Sequence, residues 1–154
     1  MNEALCKLLE ENGVEYRSIR HHVDFTAKQA AVDTRTPPEE FAKTVFVAID
    51  GEFAVVVIPA SELLLPEKLS DALGAGEVRL AHEDEIARIC PDCEVGAAHP
   101  FGNLYGLPVY VSATLAGDEW ITFNAGSHDL ALRVSFQDFS RIARPRILAV
   151  SDVH

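Results

Sequence analysis

Two stretches and one lysine carry the chemistry this sequence could perform. Glu94-Val95-Gly96-Ala97-Ala98-His99-Pro100-Phe101-Gly102 places two glycines, a proline and an aromatic ring close together. Such punctuation suits the interior of neither a helix nor a strand, yet Val95, Ala97, Ala98 and Phe101 make it too apolar for an ordinary solvated loop. Small residues let backbone approach a bound group closely, and Pro100 stiffens the approach. Taken alone, the stretch reads equally as a buried turn between strands. Phe123-Asn124-Ala125-Gly126-Ser127-His128 adds a second glycine turn with an imidazole, and Lys43 adds a cation at the start of a strand. Together they describe a pocket with exposed loop amides, an ammonium group and a histidine. Against it stands the plainer reading of Lys43 as a snorkelling surface lysine, and of His99, His128, His21 and His22 as structural or solvated histidines.

Other chemistries lack their residues. There is no HExxH, no second cysteine pair and no acidic calcium loop, so no metal is expected. There is no GxSxG elbow and no glycine-rich phosphate loop, and no cofactor is expected. Cys90-Pro91-Asp92-Cys93 is a CxxC, but it follows the helical pattern Glu83 to Ile89. Cys90 then sits at the negative end of a helix, which disfavours a thiolate. With Cys6 the cysteines number three, and in a chain without an export signal they are expected to be reduced thiols.

The elements that must position these residues follow from pattern. Asn2 to Asn12 reads as a helix capped by Asn2 and ended at Gly13. Val14 to Arg20 reads as a strand, and Thr26-x-x-Gln29 as a capping box opening a helix through about Val32. Lys43 to Ile49 and Glu52 to Ile58 flank Asp50-Gly51, a strong hairpin signal. Leu65-Pro66-Glu67 opens a helix to Leu73 that stops at Gly74, and Val78 to Leu80 reads as a short strand. Val109 to Val111, Trp120 to Phe123 and Leu130 to Val134 read as further strands, and Ser135-x-x-Asp138 caps a last helix. The mixture lacks a regular βαβ rhythm, which predicts an α+β fold with a mixed sheet in one domain over 1–154.

Composition bounds the partners. The chain carries 24 acidic and 13 basic residues, a net charge of −11, which argues against broad non-specific binding to nucleic acid. Arg17, Arg20, His21, His22 and Lys28 cluster, as do Arg141, Arg144 and Arg146, and such clusters are expected to be solvated surface. No apolar run approaches membrane-spanning length, and Met1-Asn2-Glu3 is not the start of a signal peptide, so a cytoplasmic location without membrane contact is expected.

The order of four motifs resembles the YbaK/prolyl-tRNA-synthetase-associated editing domain family of stand-alone aminoacyl-tRNA deacylases. The motifs are Ala42-Lys43-Thr44-Val45, Val57-Ile58-Pro59-Ala60, Gly96 to Gly102, and Phe123 to His128; the likeness runs from about Phe25 to Phe139. The resemblance implies a mixed, barrel-like sheet flanked by helices and hydrolysis of the ester between a wrong amino acid and tRNA. It implies that Lys43 holds the terminal adenosine or its phosphate, that Pro100-Phe101-Gly102 lines the aminoacyl pocket, and that Gly126-Ser127-His128 closes it. Two departures stand out: Ser112 occupies the place where the family usually carries an aspartate, and His99 precedes Pro100 where a proline is common. The expected catalytic residues are therefore Lys43, Gly126 and His128. The expected substrate-binding residues are Gly96, Ala98, His99, Pro100, Phe101, Gly102, Ser112 and Ser127. An aminoacyl ester is already activated, so the protein need only orient a water and stabilise the oxyanion with loop amides. His99 or Ser112 could recognise a hydroxyl, which puts seryl and threonyl errors beside alanyl. The expected partners are the tRNA acceptor end, as its aminoacyl-adenosine, and an aminoacyl-tRNA synthetase that could deliver it. The alternatives are a catalytically silent module binding aminoacyl-tRNA or a synthetase, and a thiol protein using Cys90 and Cys93.

Overall fold

A computed structural model describes residues 2–153. The elements are α1 (Glu3–Glu11), β1 (Arg17–Arg20), α2 (Ala27–Asp33), β2 (Phe41–Ile49), β3 (Glu52–Pro59), β4 (Glu62–Leu64), α3 (Pro66–Leu73), β5 (Val78–Leu80), α4 (Glu83–Ile89), a 3-10 turn (Gly102–Tyr105), β6 (Val109–Ser112), α5 (Ala113–Ala116), β7 (Trp120–Asn124), β8 (Leu130–Ser135), α6 (Phe136–Ala143), β9 (Arg146–Leu148) and β10 (Ser151–Val153). Seven strands form a mixed sheet in the order β1-β8-β7-β2-β3-β6-β9, with β5 also on β2; β4 and β10 pair separately.

Strand alternation gives the sheet two unlike faces. The inner face carries Ala42, Phe46, Val55, Val57, Val109, Val111, Ile121, Phe123, Leu132 and Val134, packed with Leu5, Leu9, Phe101 and Phe139. The outer face is covered in two places. Leu69 of α3 and Val150 lie over Val47, Val56 and Ile58, and Ala30 and Ala31 of α2 lie over Phe41, Ala60 and Ala131. Lys43 pairs with Ile58 and belongs to the outer face.

Local signals explain most of the elements. Asp50 and Gly51 both take positive φ, 49° and 86°, as their tight hairpin requires. Asn2, Thr26 and Ser135 accept from backbone amides at the starts of α1, α2 and α6, and Gly74 ends α3 at φ 64°. Three features differ from the sequence pattern. The first strand is shorter than Val14 to Arg20, because Val14 is spent on the α1 C-terminus, its amide donating to the Leu9 carbonyl. Ser112 starts a short helix, α5, that the pattern did not announce. The segment after Pro145 forms β9 along β6 and β10 along β4.

The expectation of three reduced thiols is corrected. Cys90 and Cys93 form a disulfide with their Cα atoms 5.6 Å apart, a separation that the turn after α4 sets and a disulfide accepts. Cys6 is free.

Candidate active site

The loop and the glycine turn are one unit. Gly126 N donates to the Ala97 carbonyl at 2.9 Å, and Glu94 N donates to the Gly126 carbonyl at 2.8 Å. Gly126 holds φ at +98°, a region that side chains rarely adopt, so this two-way clasp needs glycine. Gly96, also at positive φ, presents its backbone to His128: a Cβ there would lie 3.5 Å from Cε1 of the imidazole.

His128 is 5% exposed. Its Nε2 lies 2.7 Å from the Val95 carbonyl, which can only accept, so Nε2 carries a proton and, in the neutral ring, Nδ1 is the nitrogen with the lone pair. That Nδ1 is buried and has no partner among the described residues. The ring of Phe25, itself 79% exposed, packs against the imidazole at 5.1 Å. Ser127 donates its hydroxyl to Asp129, which holds the Asp129 carboxyl low.

The rest of the loop is fixed from below. Phe101 is fully buried and meets Phe123 and Phe139 edge-on. Gly102 lies against β6: an added Cβ would come within 2.6 Å of Val109 Cγ2 and 3.1 Å of Val55 Cγ2. Gly102→Ala is therefore expected to cost ~1–3 kcal/mol through overpacking, read as a lower urea midpoint with an unchanged slope. His99 is 1% exposed, stacks on Tyr105 at 4.9 Å and accepts from the Phe101 amide through Nδ1. The Tyr105 hydroxyl donates to the His99 carbonyl at 3.0 Å. Burial lowers the His99 pKa to about 4, so the ring is neutral near pH 7. Among the described residues, the amides of Gly96, Ala98 and His99 have no acceptor, whereas that of Ala97 donates to Glu94. Ala98 is 8% exposed, and its amide is an unspent donor.

Lys43 stands on the neighbouring strand. Parallel pairing sets Ala42 opposite Phe123, which puts Lys43 level with Asn124 on the outer face, one strand spacing of about 4.8 Å away. Burial and the Lys28 ammonium push the Lys43 pKa down, while the Glu62 carboxylate pulls it back up. Glu62 is itself buried and accepts hydrogen bonds from Thr114 of α5 and Ser151 of β10. Ser112 lies on the same outer face two strands from Lys43, and its hydroxyl caps α5 by accepting from the Thr114 amide at 3.1 Å.

Between Lys43 and His128 lies a polar cluster that the motifs did not reveal. The His21 side chain is 1% exposed. Its Nδ1 is 2.7 Å from the His22 carbonyl and 3.1 Å from Asp24 Oδ2, and its Nε2 is 3.3 Å from Asn124 Oδ1. The Asp24 amide donates to the His128 carbonyl at 3.2 Å. Burial and a hydrogen bond with Asp33 push the Asp24 carboxyl up, opposed by His21. The cluster ties the connection before α2 to both β7 and the His128 turn. A histidine with a nearby acid in a predicted connection was the only signal for it.

Not every expected residue shares a cavity. Ala125, Gly126 and Ser127 line a hollow of about 420 Å³ with Asn2, Glu3 and Asp92. His99 lines another of about 170 Å³ with Cys90, Leu104 and Tyr105. Lys43, Pro100 and His128 line neither. Among the described residues, no group of three His, Cys, Asp or Glu side chains is placed to hold a metal ion, and no helix is long and apolar enough to cross a membrane.

Comparison with known proteins bears on this arrangement. Residues 21–142 match the family model described as the aminoacyl-tRNA editing domain. A stretch of 75 residues is 33% identical to the proline–tRNA ligase of Halalkalibacterium halodurans, covering 49% of this chain but only 13% of that relative. A crystal structure of a hypothetical protein superposes with a TM-score of 0.85 at 20% identity, over 97% of this chain and all of the other. A second, described as a candidate trans-editing enzyme for prolyl tRNA synthetase, superposes with a TM-score of 0.83 at 16% identity, over 99% of each chain. Both share the mixed sheet and its helices.

Proposed function

The chain belongs to the aminoacyl-tRNA editing domain family, and from that premise we propose that it is a trans-editing deacylase that hydrolyses the ester of a small, wrongly attached amino acid on tRNA. The observation that supports this reading most is His128, whose one nitrogen is committed to Val95 while the other is buried and unpartnered. It sits on a turn clasped to a loop whose Ala98 and His99 amides are unspent.

In this mechanism His128 Nδ1 takes a proton from a water as its oxygen attacks the ester carbonyl carbon. The Ala98 and His99 amides receive the developing oxyanion, a role in which loss of one donor typically costs on the order of a hundredfold or more. Collapse breaks the bond to the ribose oxygen, which recovers the proton from the imidazolium. The products are a free amino acid and an uncharged tRNA end. Lys43 makes a charge-assisted contact to the terminal phosphate, and the exposed Phe25 ring offers the terminal adenine a stacking face. His21 and Asp24 act as positioning residues for the His128 turn. His99 contributes its backbone, since its ring is occupied by Tyr105.

The need for such a reaction is physical. Pockets separate amino acids that differ by one methylene by only roughly 10–200-fold, so a second hydrolytic site improves fidelity. The small side chains of Ala97 and Ala98, with Gly96 beside them, suit a pocket that selects a small amino acid.

Lys43→Ala tests the phosphate contact. A hydrogen bond to a charged group contributes about 1.5–3 kcal/mol, so kcat/KM on mischarged tRNA is expected to fall at least ~tenfold, chiefly through KM. An unchanged kcat/KM removes Lys43 from the site. A catalytically silent binder would instead bind an aminoacyl-adenosine analogue without turning over any ester.

A further inference from the structure

The acidic balance leaves open how an RNA is held, and the outer face supplies an answer. Three hollows run together along β1, β8 and β7. One of about 200 Å³ is lined by Arg17, Arg35, Arg133, Trp120 and Thr122 among others. A second of about 430 Å³ shares Arg17, Arg133 and Trp120 with it. A third of about 600 Å³ shares Arg35 with the first and adds Arg20, His21 and His22. His21 is the residue that also reaches Asn124, so the trough leads back to the His128 turn.

Three features distinguish this face from a merely solvated one. First, among the described residues no ion pair takes up the guanidinium groups of Arg17, Arg35 or Arg133, although acids outnumber bases almost two to one. Second, Arg35 holds φ at +55° just past the end of α2, a place that favours glycine or asparagine. That conformation turns the chain at Arg35, which borders two of the three hollows. Third, Arg133 lies over the Trp120 ring at 5.6 Å, and Trp120 remains 37% exposed. Unpaired arginines beside a partly open aromatic ring suit phosphates and a base. Glu15, Asp33 and Glu40 also border the hollows, which confines attraction to the arginine line rather than the whole face.

We propose that this trough is the docking surface for the phosphate backbone of the tRNA acceptor arm. The inference rests on the editing reading for its partner, and it places the arm along α2. That helix is about 10 Å long at 1.5 Å per residue, with Phe25 and His128 near its first turn and Arg35 past its last.

The test is direct binding of uncharged tRNA to the full chain at several salt concentrations, which requires no hydrolysis. The double variant Arg35→Gln/Arg133→Gln is expected to weaken binding at least ~tenfold and to flatten the plot of log K against log salt by about 1.4–1.8, since each lost phosphate contact removes roughly 0.7–0.9. The control Arg88→Gln/Arg146→Gln removes the same charge from exposed sites elsewhere and is expected to leave both quantities unchanged. Arg17→Glu, on the exposed edge strand, gives the same loss independently should the double variant fold poorly. Unchanged binding in the trough variants, or equal losses in trough and control pairs, overturns the proposal. A wild type that binds tRNA through the trough but hydrolyses no ester would overturn the editing reading and leave this one standing.

Discussion

Replacing His128 by alanine is expected to lower kcat for ester hydrolysis by roughly a hundredfold or more, the usual range for a lost general base, with little change in KM. The expectation comes from the division of labour within one ring. Nε2 anchors the imidazole to the Val95 carbonyl at 2.7 Å, so the ring orientation is set by the very loop that would hold the oxyanion. Nδ1 is left buried and unused. Leaving a buried acceptor without a partner costs free energy, and a substrate water would satisfy it. His128→Gln separates the two roles, since a glutamine amide can still donate to Val95 but cannot take up a proton. If the imidazole is the base, the glutamine variant keeps its fold and loses the same rate as alanine. If His128 only braces the loop, glutamine restores most of the activity.

The second large effect concerns acid stability. His99 is neutral in the fold because burial lowers its pKa from 6.5 to about 4. Above pH 6.5 the ring is neutral in both folded and unfolded chains, and its contribution does not change with pH. As pH falls from 6.5 toward 4 the unfolded chain takes up a proton that the folded chain refuses, and stability is lost. The window of about 2.5 units corresponds to ~3 kcal/mol. Asp118 works in the opposite sense: burial, with Glu40 and Glu39 nearby, raises its carboxyl to about 6. Its folded form therefore holds a proton that the unfolded chain releases, which favours the fold below pH 6, though solvent screens this partly exposed group. The difference between wild type and His99→Gln isolates the histidine. Urea unfolding at pH 7 and pH 4.5 is expected to show a steeper acid loss in the wild type than in the variant; parallel losses would mean that His99 titrates normally.

How much of this was legible in the sequence depended on the range of the interaction. The Asp50-Gly51 hairpin, the Gly74 stop and the Thr26 cap are local, and short patterns announce them. The loop and the glycine turn were each recognisable, but their mutual clasp joins residues about thirty positions apart through main-chain atoms, which no side-chain pattern encodes. The His21–Asn124 contact spans 103 positions. Glu62 meets Ser151 only because the last residues form β10, a strand too short for alternation to signal. His99 looked like a polar group for the pocket, and only its stacking on Tyr105 shows that the fold uses the ring. The cysteine pair misled in the other direction: spacing and helix polarity addressed thiolate reactivity, whereas the turn geometry decides disulfide formation.

The central claim is that the loop at Gly96 to Gly102, the His128 turn and Lys43 form one hydrolytic site for aminoacyl esters on tRNA. Single-turnover deacylation by the wild-type chain, on tRNAs charged with alanine, serine, threonine or a larger cognate residue, tests it most directly. The account predicts that at least one small aminoacyl-tRNA is cleared well above its spontaneous rate while the larger one is spared. Spontaneous rates across the whole panel would contradict it.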